Sequence, residues 1–196
     1  MNILITGATG FIGQHLLDEL DYNNNVIHVI SRNPNKKTRN GLANCTVIKA
    51  DLTDYESLLF AMKDIDVVIN IAAEIRNLNT IEKTNIEGTV NLINAAVKNN
   101  VSKIIHLSSV GVVGMQYSSS PTRVTEETEC IPKNEYEKTK LTSEKILIEN
   151  CKSENIILYI LRPTNVFGEY HPQKAMSRLI LHIANEKPLI ATKNAC

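Results

Sequence analysis

The chain has no excess charge of either sign: 21 Lys and Arg stand against 21 Asp and Glu in 196 residues. Without a net field, nucleic acid and anionic membrane surfaces are poor partners. Paired cysteines are also missing. Cys45, Cys130, Cys151 and Cys196 are scattered with no C-x-x-C spacing, which argues against a zinc site or a disulfide framework and suits free thiols in a reducing compartment. The five histidines are equally dispersed, so no metal is expected. No stretch approaches the ~20 apolar residues of a membrane span. The first residues run straight into an apolar segment with no basic leader, and there is no internal repeat or low-complexity tract. These absences leave a soluble, cytoplasmic protein as the expectation, of a length that suits one α/β domain.

What is present is an alternation. Short runs rich in Ile and Val, namely MNILIT, Val26 to Ser31, Cys45 to Ala50, Asp66 to Ala73, Lys103 to Ser109 and Asn155 to Pro163, read as strands buried on both faces. Helical patterns fall between them at Gly10 to Leu20, Tyr55 to Lys63, Ile81 to Asn99 and Glu135 to Asn150, the second opened by a Thr53-x-x-Glu56 capping box. Strand and helix in strict alternation predict right-handed crossovers and a parallel sheet. The least regular stretch, Gly114 to Asn134, reads as a surface loop leading into a helix.

Of only eight glycines, three stand three apart at Gly7, Gly10 and Gly13, directly after the first apolar run. Glycine weakens a helix start, so this clustering implies that something comes very close to the backbone there. A first strand, TGATGFIG and then a helix is the setting of a dinucleotide-binding loop, in which pyrophosphate meets backbone N–H groups at a helix N-terminus. In such a unit the end of the second strand selects the nucleotide: an acid accepts from the ribose 2′-OH, an Arg accommodates a 2′-phosphate. Here that strand ends Ile30-Ser31-Arg32-Asn33-Pro34 with no acid, followed by Lys36 and Lys37. A guanidinium suits phosphate, which favours NADP over NAD; alternatively the segment is a basic surface loop. Asp51, after the third strand, is either a nucleotide contact or a helix cap. Further on, Tyr136-Glu-Lys-Thr-Lys140 sets a phenol and an ammonium on one helix face. A neighbouring cation favours a phenolate, so Lys140 is a candidate for tuning Tyr136.

The order of glycine loop, Leu107-Ser108-Ser109 strand end and Tyr136/Lys140 helix resembles the extended branch of the short-chain dehydrogenase/reductase superfamily, the NAD(P)-dependent epimerase/dehydratase family. The G-x-x-G-x-x-G spacing resembles its T-G-x-x-G-[FY]-[IL]-G loop, which implies cofactor contacts at Gly7, Thr9, Gly10, Phe11, Ile12 and Gly13. Ser109-Val-Gly-Val-Val-Gly114 is similar to the branch's S-x-x-V-Y-G segment, with Val113 in place of Tyr. That register implies a catalytic triad of Ser109, Tyr136 and Lys140; Ser108 is the neighbour, and both serines could instead be strand-end caps. Asp51-Leu52 is similar to the adenine-contacting Asp-[LVI] pair. Val68-Ile-Asn-Ile-Ala-Ala73 looks like the segment beneath the nicotinamide ribose, implying contacts at Ala72 and Ala73. Asn85-Ile-Glu-Gly-Thr89 resembles the N-x-x-G-T whose Asn holds a catalytic bend. Leu161-Arg-Pro-Thr-Asn-Val-Phe-Gly168 resembles the strand end that meets the carboxamide, implying Pro163 and Asn165.

The resemblance implies an α/β fold, a Rossmann-type doubly wound parallel sheet with helices on both faces, with residues 1–196 forming the NAD(P)-binding domain. The family usually continues into a C-terminal substrate domain, most of which is expected to be missing after Lys187 to Cys196. The implied function is hydride transfer between nicotinamide and a carbinol or carbonyl carbon of a small-molecule substrate, a nucleotide sugar among the candidates, by an epimerase or a carbonyl reductase. A homodimer is compatible with this. A 4,6-dehydratase is disfavoured, because Ser109-Val110-Gly111 stands where those enzymes carry Thr-Asp-Glu. A dinucleotide-binding redox sensor without turnover is the alternative, although such proteins tend to lose the Tyr-Lys pair that this chain keeps.

Overall fold

A computed structural model describes residues 1–35, 42–114 and 123–170. The chain divides into two compact units, Met1–Thr164 and Asn165–Cys196. The first holds six strands: β1 (Asn2–Thr6), β2 (Val26–Ser31), β3 (Thr46–Lys49), β4 (Val67–Asn70), β5 (Lys103–Leu107) and β6 (Ile157–Leu161). They pair in parallel in the order β3-β2-β1-β4-β5-β6. Parallel strands need crossover segments, and helices α1 (Phe11–Glu19), α2 (Tyr55–Ala61), α3 (Gly88–Lys98) and α4 (Glu135–Ser153) supply four of the five. Between β2 and β3 there is no helix among the described residues, a departure from strict alternation. In the second unit, residues 165–170 contain neither helix nor strand.

Successive strand residues point to opposite faces, which is why these runs are apolar throughout. Leu4, Val68 and Ile104 pack on one face with Leu58, Met62, Leu92 and Leu147 from α2, α3 and α4. Ile3, Ile5, Ile27, Val29 and Val67 pack on the other with Leu17 of α1. Helices therefore lie on both faces of a doubly wound sheet.

Three local details differ from the sequence reading. The cap of α2 is Asp54, whose carboxylate accepts from Ser57 N; the Thr53 hydroxyl is diverted to Asp51 at 3.0 Å. A reciprocal capping box occurs instead at α4, between Asn134 and Glu137. The helical pattern over residues 81–99 contains a π-helical turn, Lys83–Glu87, ahead of α3, a feature that concentrates at functional sites. No described helix is long and apolar enough to cross a membrane.

Candidate active site

The strand order reverses direction between β1 and β4, and in open α/β sheets ligands bind at that point, beyond the carboxyl ends of the strands. The glycine loop lies there. Gly7 has φ +72°, and a Cβ on it would stand 2.7 Å from Ala72 N; a Cβ on Gly13 would stand 2.3 Å from the Gly7 carbonyl oxygen. The loop is thus folded so tightly that neither position has room for a side chain. Gly10 N donates to Gly7 O at 2.9 Å, and as the N-cap of α1 Gly10 offers no side-chain cap. Thr9 O accepts from Gln14 Nε2 at 3.2 Å, Phe11 meets His15 edge to face, and Ile12 follows in the first turn. A bare, glycine-built helix start fits the pyrophosphate of a dinucleotide.

Within the first unit, the other described sequence-derived positions follow the carboxyl ends of their strands. Arg32 is exposed just past β2. Lys36 and Lys37 lie outside the described residues, as does the segment Lys187 to Cys196. Asp51 follows β3 and Leu52 is buried beside it; the Asp51 carboxylate accepts from Thr53 N at 2.9 Å, so it fastens the turn into α2 without capping that helix. Ala72 and Ala73 follow β4. Pro163 follows β6, its carbonyl accepting from Val110 N at 3.0 Å. Asn165 opens the second unit.

Ser109 ends β5. Its Oγ accepts from Gly111 N at 3.1 Å and caps the 3-10 turn Val110–Val113, an arrangement that leaves the hydroxyl proton for another acceptor. The neighbouring Ser108 Oγ is the one buried side-chain polar atom with no hydrogen-bond partner among the described residues. The 3-10 turn meets the first turn of α4: a Cβ on Gly111 would stand 3.0 Å from Glu137 Cγ. Tyr136 lies in that helical turn, half-buried, and burial raises its phenol above the ordinary value.

Lys140, one turn further along α4, is 2% exposed. Burial, opposed by the Glu144 carboxylate, pulls its amine down to about 8. Its Nζ lies 3.0 Å from His106 Nε2. From there a buried polar row crosses the sheet. His106 Nδ1 lies 3.0 Å from Asn70 Nδ2, Thr6 donates to Asn70 Oδ1 at 2.6 Å, and Thr6 Oγ1 accepts from Ile71 N and Ala72 N at 3.1 and 3.0 Å. Thr6, Asn70 and His106 are register partners on β1, β4 and β5. Burial first, and then Lys140 when it is charged, lower His106 well below its ordinary range, which favours the neutral ring.

Two further polar clusters frame α4. Asn85, in the π-helical turn, bonds both to the backbone of Glu74 and to Thr139 Oγ1, at 2.8, 2.9 and 3.0 Å, joining the loop after β4 to α4. Glu144, 1% exposed, receives a two-pronged contact from Arg162 at 3.0 and 2.6 Å. Sequence reasoning missed Thr6, Asn70, His106 and Glu144. The available signal was a polar residue two places after Leu4, Val68 and Ile104 on each of the three central strands.

The six-stranded parallel sheet in this order, with a glycine loop at its switch point, defines a Rossmann dinucleotide-binding protein. More specifically, the chain belongs to the NAD dependent epimerase/dehydratase family, whose model matches residues 3–194. It is 30% identical over 202 residues to a putative UDP-glucose 4-epimerase of Methanocaldococcus jannaschii, covering 96% of this chain and 65% of that one. It is also 30% identical over 212 residues to a trifunctional UDP-glucose 4,6-dehydratase, 3,5-epimerase and reductase of Arabidopsis thaliana, covering 96% and 31%. Among solved structures, a UDP-glucose 4-epimerase of Thermotoga maritima crystallised with UDP-glucose superposes with a TM-score of 0.83 at 26% identity, covering 98% of this chain and 66% of that one. The chain therefore spans from about a third to two thirds of the length of these relatives.

Proposed function

We propose that this chain carries the cofactor site and the proton-transfer residues of an NAD(P)-dependent oxidoreductase acting on a carbinol carbon of a nucleotide sugar, in an epimerase or a carbonyl reductase. The observation that carries the reading is the hydrogen-bonded row linking Thr6, the residue before Gly7, to Lys140 on α4. It ties the glycine loop and the Tyr136/Lys140 helix to one end of the sheet. The relatives named as UDP-sugar enzymes support the substrate class.

A nicotinamide dinucleotide, when bound, supplies the hydride acceptor and donor. The chain's own residues do the rest. Gly7, Gly10 and Gly13 admit the pyrophosphate, and the small side chains of Ala72 and Ala73 leave room beside them. Tyr136 exchanges the substrate hydroxyl proton through its phenol oxygen, and burial of the ring keeps that proton in place until a neighbouring charge draws it off. Ser109, with its lone pair engaged by Gly111 N, directs its hydroxyl proton to the substrate oxygen. Lys140 stands one turn behind to orient the cofactor ribose. Arg32 favours a 2′-phosphate and hence NADP. Ser109-Val110-Gly111 supplies no acid for elimination, which disfavours a 4,6-dehydratase. The free thiols of Cys45, Cys130 and Cys151 support a cytoplasmic setting.

The test is incubation of the purified chain with NADP or NAD and either UDP-glucose or UDP-galactose, read by sugar NMR and reduced-nicotinamide absorbance. Interconversion of the two sugars indicates an epimerase. Net oxidation with stoichiometric reduced cofactor indicates a dehydrogenase or reductase. Bound cofactor with neither product from any nucleotide sugar tried, both in this chain and in a form extended by a C-terminal substrate domain, contradicts the substrate class.

A further inference from the structure

The row from Thr6 to Lys140 has a direction, and hydrogen-bond counting fixes it. A threonine hydroxyl has one proton and two lone pairs. Both lone pairs of Thr6 Oγ1 face backbone N–H groups, those of Ile71 and Ala72. Its proton must therefore go to Asn70, which presents Oδ1 to receive it at 2.6 Å. With Oδ1 committed, Asn70 turns its Nδ2 toward His106 Nδ1, and an amide nitrogen only donates. His106 Nδ1 is then the acceptor. A neutral imidazole has one acceptor and one donor, so its proton sits on Nε2, 3.0 Å from Lys140 Nζ. An ammonium there would set donor against donor. A neutral amine offers the lone pair that completes the row.

We propose that Thr6, Asn70 and His106 are positioning residues that fix the Nε2–H tautomer of His106, so that His106 donates to the neutral form of the Lys140 amine and disfavours its charged form in the cofactor-free protein. The proposal rests on the reading that Lys140 serves the active site, and it adds a cost to the charge on Lys140: carrying it means giving up the hydrogen bond from His106. The charged and titratable groups around Lys140 are few. Glu144 lies one turn on along α4, its carboxylate already matched by Arg162 from beyond β6, and Tyr136 lies one turn back. His106 is the neighbour from β5, while the π-helical turn contributes the uncharged Asn85 through Thr139.

Two measurements decide it without reference to turnover. In the 196-residue chain labelled with 15N-histidine, a two-bond 1H–15N correlation spectrum, assigned with His106→Gln, should give His106 as the Nε2–H tautomer across neutral pH. The Nδ1–H tautomer, or a doubly protonated ring, overturns the proposal. In chain labelled with 13C-lysine, the Lys140 Cε/Hε signal, assigned with Lys140→Met, should titrate at higher pH in Asn70→Leu than in the natural chain. Releasing the tautomer lets Nε2 accept, so proton affinity should rise up to about tenfold, the worth of one hydrogen bond. An unchanged or lower midpoint overturns the proposal. If Asn70→Leu does not fold, the tautomer measurement on the natural chain still decides. Loss or retention of activity in Tyr136→Phe bears only on the catalytic reading and leaves this result untouched.

Discussion

Gly7 and Ala72 meet backbone to backbone: a Cβ on Gly7 would stand 2.7 Å from the Ala72 amide nitrogen, and Gly7 itself has φ +72°. Left-handed backbone costs an L-residue about 1–2 kcal/mol before any clash is counted, and the atoms opposite are main chain, which cannot rotate aside. Gly7→Ala should lower stability by at least about 2 kcal/mol in urea unfolding. Gly10→Ala, where the nearest atom would be 3.2 Å away, should be much milder. Equal effects would mean that the loop relaxes freely.

Ser109 and Ser108 present contrasting hydroxyls, one engaged as a cap and one without a partner. If Ser109 donates to the substrate oxygen, Ser109→Ala should reduce kcat/KM by about 10²-fold, the low end of proton-transfer and oxyanion effects, while Ser108→Ala leaves it within a few-fold. Steady-state kinetics on both variants checks this; the reverse order would transfer the role to Ser108.

Arg32 is exposed at the end of β2, and its charge helps hold the Glu74 carboxyl below its usual range, after the larger effect of backbone donors beginning with Arg76 N. A charge-assisted phosphate contact contributes about 1.5–3 kcal/mol. Arg32→Ala should therefore weaken NADP(H) by roughly 10- to 100-fold and NAD(H) by far less. Equal loss for both in a binding titration would remove the 2′-phosphate role.

The Lys140 amine titrates at about 8 in the folded chain against an ordinary 10.5. Between those values the unfolded chain binds the extra proton, so Lys140's contribution to stability is complete above about 10.5 and is lost as pH falls toward 8. The natural chain minus Lys140→Met should show a stability difference that rises with pH through this window, by at most about 1.4 kcal/mol per pH unit. Taking the difference removes the opposing thiol and phenol ionisations. A flat difference would mean that the folded amine titrates normally.

Much of this was readable beforehand. All six strands, the parallel sheet, the glycine loop and the Tyr136/Lys140 helix face follow from periodicity and motif spacing, because a parallel strand buried on both faces leaves a continuous apolar run; the doubly wound arrangement came from the family resemblance. The polar row was not readable, since Thr6, Asn70 and His106 are 64 and 36 residues apart and become neighbours only through strand register. Thr53 and Asp54 are both good caps, and nothing local says that Asp51 captures the first. The π-helical turn at Asn85 was hidden because its flanks keep helical periodicity.

The most direct measurement is a titration of the chain with NADP(H) and NAD(H), by calorimetry or nicotinamide fluorescence, beside a folded Gly10→Val variant. Gly10 is the loop glycine whose Cβ has the most room, so a side chain there should obstruct the pyrophosphate without unfolding the domain. The account predicts saturable binding with unit stoichiometry, tighter for NADP(H), and its loss in the variant. No binding of either dinucleotide, or equal binding by the variant, would contradict it.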